Sequence, residues 1–325
     1  MPKVELHVHL DPSLTFRAVR QLRPGITRAL FEQSYVGPER CTDLVDFLRY
    51  IDPSLELMQT VNGLRLATEE LVRALAADGV VYVEIRYAPL LHLRQGLTAE
   101  IVVETVVDAF NRASARHRLR GGILLCTLRH FTAKQSLETA RLAHLYQARG
   151  VLGLDLAGDE ANFPIEPHVD AYAFAREAGI RRTAHAGEAL GPDSVIQTLT
   201  RLQPDRIGHG VRSIESEEAV AAVRAAGVHL EVCPSSNVQV GVVPNYQDHP
   251  IERLRQARLS IGVNTDTRTV LNTSLSQEYA RMHKVFGWDE DLFRSVNLAA
   301  VEAAFVGEEV KASVRARVSG GRPSL

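Results

Sequence analysis

Three cysteines in 325 residues (Cys41, Cys126 and Cys233) are too few and too scattered for a disulfide framework or a zinc ribbon. They fit a reducing compartment, and a cytoplasmic location is the expectation. No run approaches the roughly 20 apolar residues of a membrane span. No charged segment, apolar stretch or small-residue cleavage site precedes the strand-like run that begins at Val4. An excess of one charge is also missing: 37 basic residues face 39 acidic ones, so neither nucleic acid nor an anionic membrane is the expected partner. Low-complexity segments are absent. What remains is ordinary globular composition, 45% hydrophobic and 23% charged.

Short apolar runs recur along this background, each closed by Gly, Pro or polar residues. They are VELHVH (from Val4), VVYVEIRY (from Val80), GGILLCTL (from Gly121), VLGLDLAG (from Val151), RRTAHAG (from Arg181), RIGHGV (from Arg206), VHLEVCP (from Val228) and LSIGVNTD (from Leu259). Stretches with helical apolar spacing lie between most of them, for example Leu137, Ala140, Leu142 and Ala143. Strands alternating with helices imply a parallel sheet, because right-handed crossovers place the helices outside it. Eight units predict an α/β fold, the closed (β/α)8 TIM barrel, with an open doubly wound sheet as the rival. A single domain over 1–325 is expected, with extra helices inserted after the first strand, at about 10–79, as a lid over the mouth. A flexible tail is expected at about 318–325.

Ionisable residues fall at the carboxyl ends of these strands, where a barrel of this kind collects its chemistry. His7 and His9 close the first strand on one face, His185 closes the fifth, and Asp266 closes the eighth. Three imidazoles and a carboxylate meeting at one mouth make a zinc site with a position left for water. Any one of these histidines alone is more often a hydrogen-bonded structural residue, and an H-x-H pair is a weak motif. Four candidates at the same end of three strands favour the metal. Glu188 and His209 add a carboxyl group and an unligated imidazole, the parts for general acid–base work.

At these residues the chain resembles the adenosine deaminase family of metal-dependent amidohydrolases. KVELHVHLD, VVYVEIRYAP, LCTLRH, LDLAGDE, TAHAGEA, RIGHGV, LEVCPSSN and NTDTRTVLNTSLSQEY occur in family order nearly end to end, the last similar to a bacterial branch. The resemblance implies a hydrolase that converts adenosine, and 2'-deoxyadenosine, to the inosine product and ammonia. It implies one Zn2+ per chain on His7, His9, His185 and Asp266, whose hydroxide attacks carbon six of the purine. Protonated Glu188 would give its proton to ring nitrogen one, which requires a raised pKa and hence shielding from water. His209 would be the base or the electrostatic partner of the attacking water. His9 would border the substrate, Asp11 hold a ribose hydroxyl, the backbone of Gly158 face ring nitrogen three, and Thr267 face ring nitrogen seven.

Two departures from the family pattern bear on the substrate. Thr267 stands where better-known members carry a second Asp; its hydroxyl donates without any pKa shift but reaches less far. Pro12 follows Asp11 where a glycine is common. A deaminase of another aminopurine (adenine, a modified adenosine, or the aminodeoxyfutalosine of menaquinone synthesis) therefore remains open, as does a non-catalytic purine-binding protein. No lysine lies near Gly158, Asp159 and Glu160 at the end of the fourth strand, so the resemblance implies one metal rather than a bridged pair. Asp159 and Glu160 would support the site or cap a loop. Cys233 is not expected among the ligands. Leu44, Phe47 and Leu48 either wall the pocket or face the core. The sequence carries no signal for oligomeric state.

Overall fold

The computed structural model describes residues 1–320. Val-, Ile- and Leu-rich runs are stable as strands when helices cover them from one side and barrel side chains from the other. Eight do so: β1 (Lys3–His9), β2 (Val80–Tyr87), β3 (Arg120–Leu128), β4 (Val151–Ala157), β5 (Arg181–Ala186), β6 (Arg206–His209), β7 (His229–Val232) and β8 (Ser260–Val263). Each pairs in parallel with the next, in sequence order. Closure comes just past β8, where Val8 bridges Asp266. The Asp266 N–H donates to the His7 carbonyl at 2.9 Å, and the His9 N–H donates to the Asp266 carbonyl at 2.7 Å. The sheet is therefore a (β/α)8 barrel, and the open doubly wound alternative falls.

Local signals start the helices where the chain needs them. Thr60, Thr98, Ser216, Ser274 and Asp289 each accept a backbone N–H from the first turn that follows. Thr132 and Gln135 complete a reciprocal capping box. Short helices Phe16–Leu22, Arg28–Tyr35, Leu44–Leu48 and Asp52–Leu57 follow β1. The longer helix Val61–Ala77 packs along Ala99–His117 and β2, so it belongs to the outer ring. The added helices thus occupy only the part of 10–79 before Val61.

Helix Glu290–Ala303 packs over β8, β1 and β7, and Asn297 accepts the Val4 N–H at 2.7 Å; the turn after it reaches the amino-terminal end of the barrel, where the Phe305 N–H donates to Glu84. Helix Glu308–Val318 follows, with Val314 and Val318 buried in one cluster with Leu6, Tyr82 and Val301. Val318, placed in the tail by the sequence reading, is thus a packed residue; 321–325 lie outside the described residues. Among the described residues, no helix is long and apolar enough to cross a membrane.

The barrel interior is not uniformly apolar. Glu84, Arg86, Asp155, Arg206 and Glu231 are fully or almost fully buried inside it. A lone buried charge costs several kcal/mol, so such a set survives only when paired. Arg86 reaches Glu231 at 2.7 Å and Asp155 at 3.2 Å, and Arg206 bridges Glu84 and Glu231. This lattice lies directly beneath the mouth.

Candidate active site

Four polar side chains converge above the buried lattice. Nε2 of His9 lies 3.3 Å from Nε2 of His185 and 3.4 Å from Oδ1 of Asp266, and Nε2 of His7 lies 3.5 Å from the same oxygen. Donor atoms that share one zinc ion at bonds of about 2.0–2.1 Å, with a place left for water, are separated by ligand-to-ligand edges of about 3–3.5 Å. The three measured edges fall in that range.

Two of the three imidazoles are turned by a carboxylate behind them. Nδ1 of His7 meets Oε2 of Glu231 at 2.9 Å, and Nδ1 of His185 meets Oδ1 of Asp155 at 3.2 Å. With Nδ1 carrying the proton, Nε2 of each ring presents a lone pair to the mouth. Burial works against ionising Asp155 and Glu231. His185 and Arg86 for the first, and Arg86 and Arg206 for the second, outweigh it and hold both carboxyls well below their usual range. Nε2 of His7 is buried with no hydrogen-bond partner. An orphaned lone pair facing two more nitrogens and a carboxylate is unfavourable unless a cation sits among them. The donor set therefore fits a divalent metal.

Backbone geometry serves the same end. Asp266 lies three residues beyond β8, held there by its two hydrogen bonds to β1 on either side of Val8. It adopts φ 60°, and His209, the last residue of β6, adopts φ 59°. Non-glycine residues in that left-handed region carry strain, which persists where surrounding bonds impose it. Ser236 donates to Oδ2 of Asp266 at 2.6 Å, leaving Oδ1 to the histidines. Gly208 leaves the room: a Cβ there would come within 3.0 Å of Cε1 of His7 and 3.2 Å of Cγ of His185.

Glu188 lies beside this cluster, nine-tenths or more buried, with Oε1 3.5 Å from Nε2 of His209. Burial first, then the carboxylates of Asp266 and Glu160, pushes its carboxyl well above the ordinary range. Its backbone is fixed by Glu160, whose carboxylate accepts the N–H groups of Gly187, Glu188, Ala189 and Leu190 and the Ser194 hydroxyl. Asp159 caps its own loop through the N–H groups of Ala161 and Asn162. Of the two roles open to this pair, Glu160 takes the first and Asp159 the second.

The cluster opens into a cavity of about 290 Å³. His9, His185, Glu188, His209 and Asp266 line its inner end, and Asp11, Gly158 and Thr267 line it too. Gly158 has φ 96°, a conformation that glycine alone adopts freely. The Thr267 hydroxyl is buried and unpartnered. Oδ1 of Asp11 is held by Nε2 of His92 at 2.8 Å. Leu44, Leu48, Ile51 and Leu55 form the apolar wall. Phe47 both lines the cavity and packs against Cys41, Val240 and Val270, so the two readings of that helix coexist. Cys233 is buried behind the cluster, its thiol directed at the Glu231 carbonyl.

The adenosine deaminase family model matches residues 2–320. The chain belongs to the adenosine deaminase family. An adenosine deaminase of Clostridium perfringens is 34% identical over 322 residues, covering 97% of each chain. The crystal structure of an adenine deaminase from Arthrobacter aurescens superposes with a TM-score of 0.90 at 26% identity, over 98% of each chain. An Arabidopsis N6-mAMP deaminase gives 0.88 at 26% identity, over 99% of this chain and 98% of that one. This member of the family is thus a hydrolytic deaminase, acting on adenosine or a related aminopurine.

The sequence reading missed Asp155, Glu231 and Arg86, which orient the histidines of this deaminase. The signal was present: single charged residues inside the apolar runs VVYVEIRY, VLGLDLAG and VHLEVCP, which a parallel strand buried on both faces has no reason to carry unless they are paired. Gly208, Ser236 and His92 gave no comparable signal.

Proposed function

We propose that the protein hydrolyses adenosine, and 2'-deoxyadenosine, to the inosine product and ammonia with one zinc ion held by His7, His9, His185 and Asp266. The observation that carries this reading is the orphaned Nε2 of His7, aimed into a four-donor cluster beside a buried Glu188 whose carboxyl burial pushes well above its ordinary range. Zinc bound there supplies Lewis acidity that brings the ionisation of water into the neutral range.

The remaining work falls to side chains. Water adds to carbon six while the Glu188 carboxyl delivers its proton to ring nitrogen one, so the ring accepts the electron pair. Asp266, with Oδ2 held by Ser236, keeps its ionised Oδ1 toward the attacking water. His209 stands across from Glu188, within 3.5 Å of its carboxyl. On collapse the amine takes up the proton that the water gave up and leaves as ammonia, while the carbon-six hydroxyl proton returns to Glu188 as the carbonyl forms. Gly158 exposes backbone to ring nitrogen three, and the free Thr267 hydroxyl donates to ring nitrogen seven. Asp11, oriented by His92, takes a ribose hydroxyl. Three buried free thiols support a reducing, cytoplasmic location.

A second reading keeps the chemistry and changes the purine. Pro12 and Thr267 line the cavity where the family pattern differs, and the adenine and N6-mAMP deaminases superpose closely. Metal analysis combined with ammonia release from adenosine, 2'-deoxyadenosine, adenine, N6-methyl-AMP and aminodeoxyfutalosine separates the two. Adenosine and 2'-deoxyadenosine are expected to give the highest kcat/KM. A higher value for another compound overturns the substrate assignment, and a fully active metal-free protein overturns the metal.

A further inference from the structure

His209 can serve at the mouth in two ways, as a proton acceptor or as a hydrogen-bond donor, and which one depends on which ring nitrogen carries the proton. A buried chain of groups behind it decides the question. It starts at the backbone N–H of Ile251, which cannot change its role and donates to Nδ1 of His249 at 3.1 Å. His249 is 3% exposed, and burial pushes its pKa down to about 3, so the ring is neutral. A neutral imidazole that accepts at Nδ1 carries its proton on Nε2. That Nε2 lies 3.2 Å from Oδ1 of Asn237, which accepts. The amide cannot be reversed without setting its NH2 group against the His249 N–H. Nδ2 of Asn237 therefore donates to Nδ1 of His209, 3.1 Å away.

From this chain we infer that Asn237 and His249 are positioning residues that lock His209 in the Nε2–H form, facing the mouth as a hydrogen-bond donor and not as a base. The inference rests on the deaminase reading only for its consequence. His209 donates to an oxygen in the mouth, either the Glu188 carboxyl or the attacking water, and the proton that the water loses goes elsewhere. Asp266, whose carboxylate lies within 4.8 Å of the Glu188 and His209 side chains, is the acceptor that remains.

Nitrogen NMR of protein labelled at histidine tests this without turnover. A long-range proton–nitrogen correlation separates pyrrole-like from pyridine-like nitrogens, and the His209 signals are identified by their loss in His209→Gln. A proton on Nε2 is expected in the protein as isolated and after chelation; a proton on Nδ1 in either state overturns the proposal. Asn237→Asp reverses the relay, because a carboxylate at that place accepts from Nδ1–H. It should move the His209 proton to Nδ1 and lower kcat by about 10²–10⁴-fold, the scale of a misplaced acid–base tautomer, with KM changed far less. His249→Gln keeps a donor toward Asn237 and should keep the Nε2 signal, whereas His249→Leu frees the amide and should give both tautomers. A His209 tautomer unmoved in both Asn237→Asp and His249→Leu overturns the relay. If no purine were deaminated, the spectra would still decide the tautomer; if purines were deaminated and the proton sat on Nδ1, the relay alone would fall.

Discussion

His7 and Glu231 lie 224 residues apart in the chain and 2.9 Å apart in the barrel, Nδ1 donating to Oε2. That one bond points Nε2 of His7 at the other donors of the cluster, and Arg86 and Arg206 hold the same carboxylate in place and ionised. Glu231→Gln should weaken zinc binding by about 10–100-fold, the usual loss for a group that orients a ligand histidine. Competition against a chromophoric chelator measures it, and an unchanged affinity would remove Glu231 from the site.

Gly208 gives a cleaner steric test, because no charge is lost. Its Cβ would lie 3.0 Å from His7 and 3.2 Å from His185. In Gly208→Ala the rings must move apart, and zinc affinity is expected to fall by about tenfold or more while the barrel stays folded. Circular dichroism and metal titration of the same sample report the two properties separately.

Glu188→Gln removes the proton that ring nitrogen one requires and leaves the four-donor cluster intact. A fall in kcat of about 10²–10⁴-fold is expected, with zinc content unaltered. Turnover equal to wild type would contradict the donor role.

The buried Thr267 hydroxyl has no partner in the protein. If it donates to the purine, Thr267→Ala should cost about 1–3 kcal/mol in kcat/KM and Thr267→Ser should restore most of it. Equal loss in both variants would point to lost packing of the methyl group instead.

At the opposite end of the barrel, His229 is buried, with Nδ1 at 2.7 Å from the Ser260 hydroxyl and Nε2 unpartnered. Burial, then Arg206, lowers its pKa from 6.5 to about 3. The folded state then binds fewer protons than the unfolded chain between those values, so stability falls as pH drops from about 6.5 toward 3. Each such histidine contributes at most about 1.4 kcal/mol per pH unit. Urea unfolding at pH 7 and pH 4.5 should show a shallower dependence for His229→Gln than for wild type. An identical dependence would mean that the ring is charged in the folded protein.

The linear order of residues determined a good deal. Eight apolar runs separated by helical spacing define the barrel, since that rhythm has few other parallel solutions. His7, His9, His185 and His209 stand at strand ends, with Glu188 and Asp266 just past them, where local pattern alone places them at one mouth. Only the tertiary structure decided how those groups are used. Asp266 lies beyond β8 and not at its end, because barrel closure on β1 fixes its position through backbone bonds. Val318 proved to be core, because helix Glu290–Ala303 and the first two strands give it a surface to bury against. Glu231, Asp155, Arg86, Asn237 and His249 act across distances in sequence that no periodicity records. A buried charge or a ring tautomer is set by whichever partner the fold brings within about 3 Å, and that partner is known only when the barrel has closed.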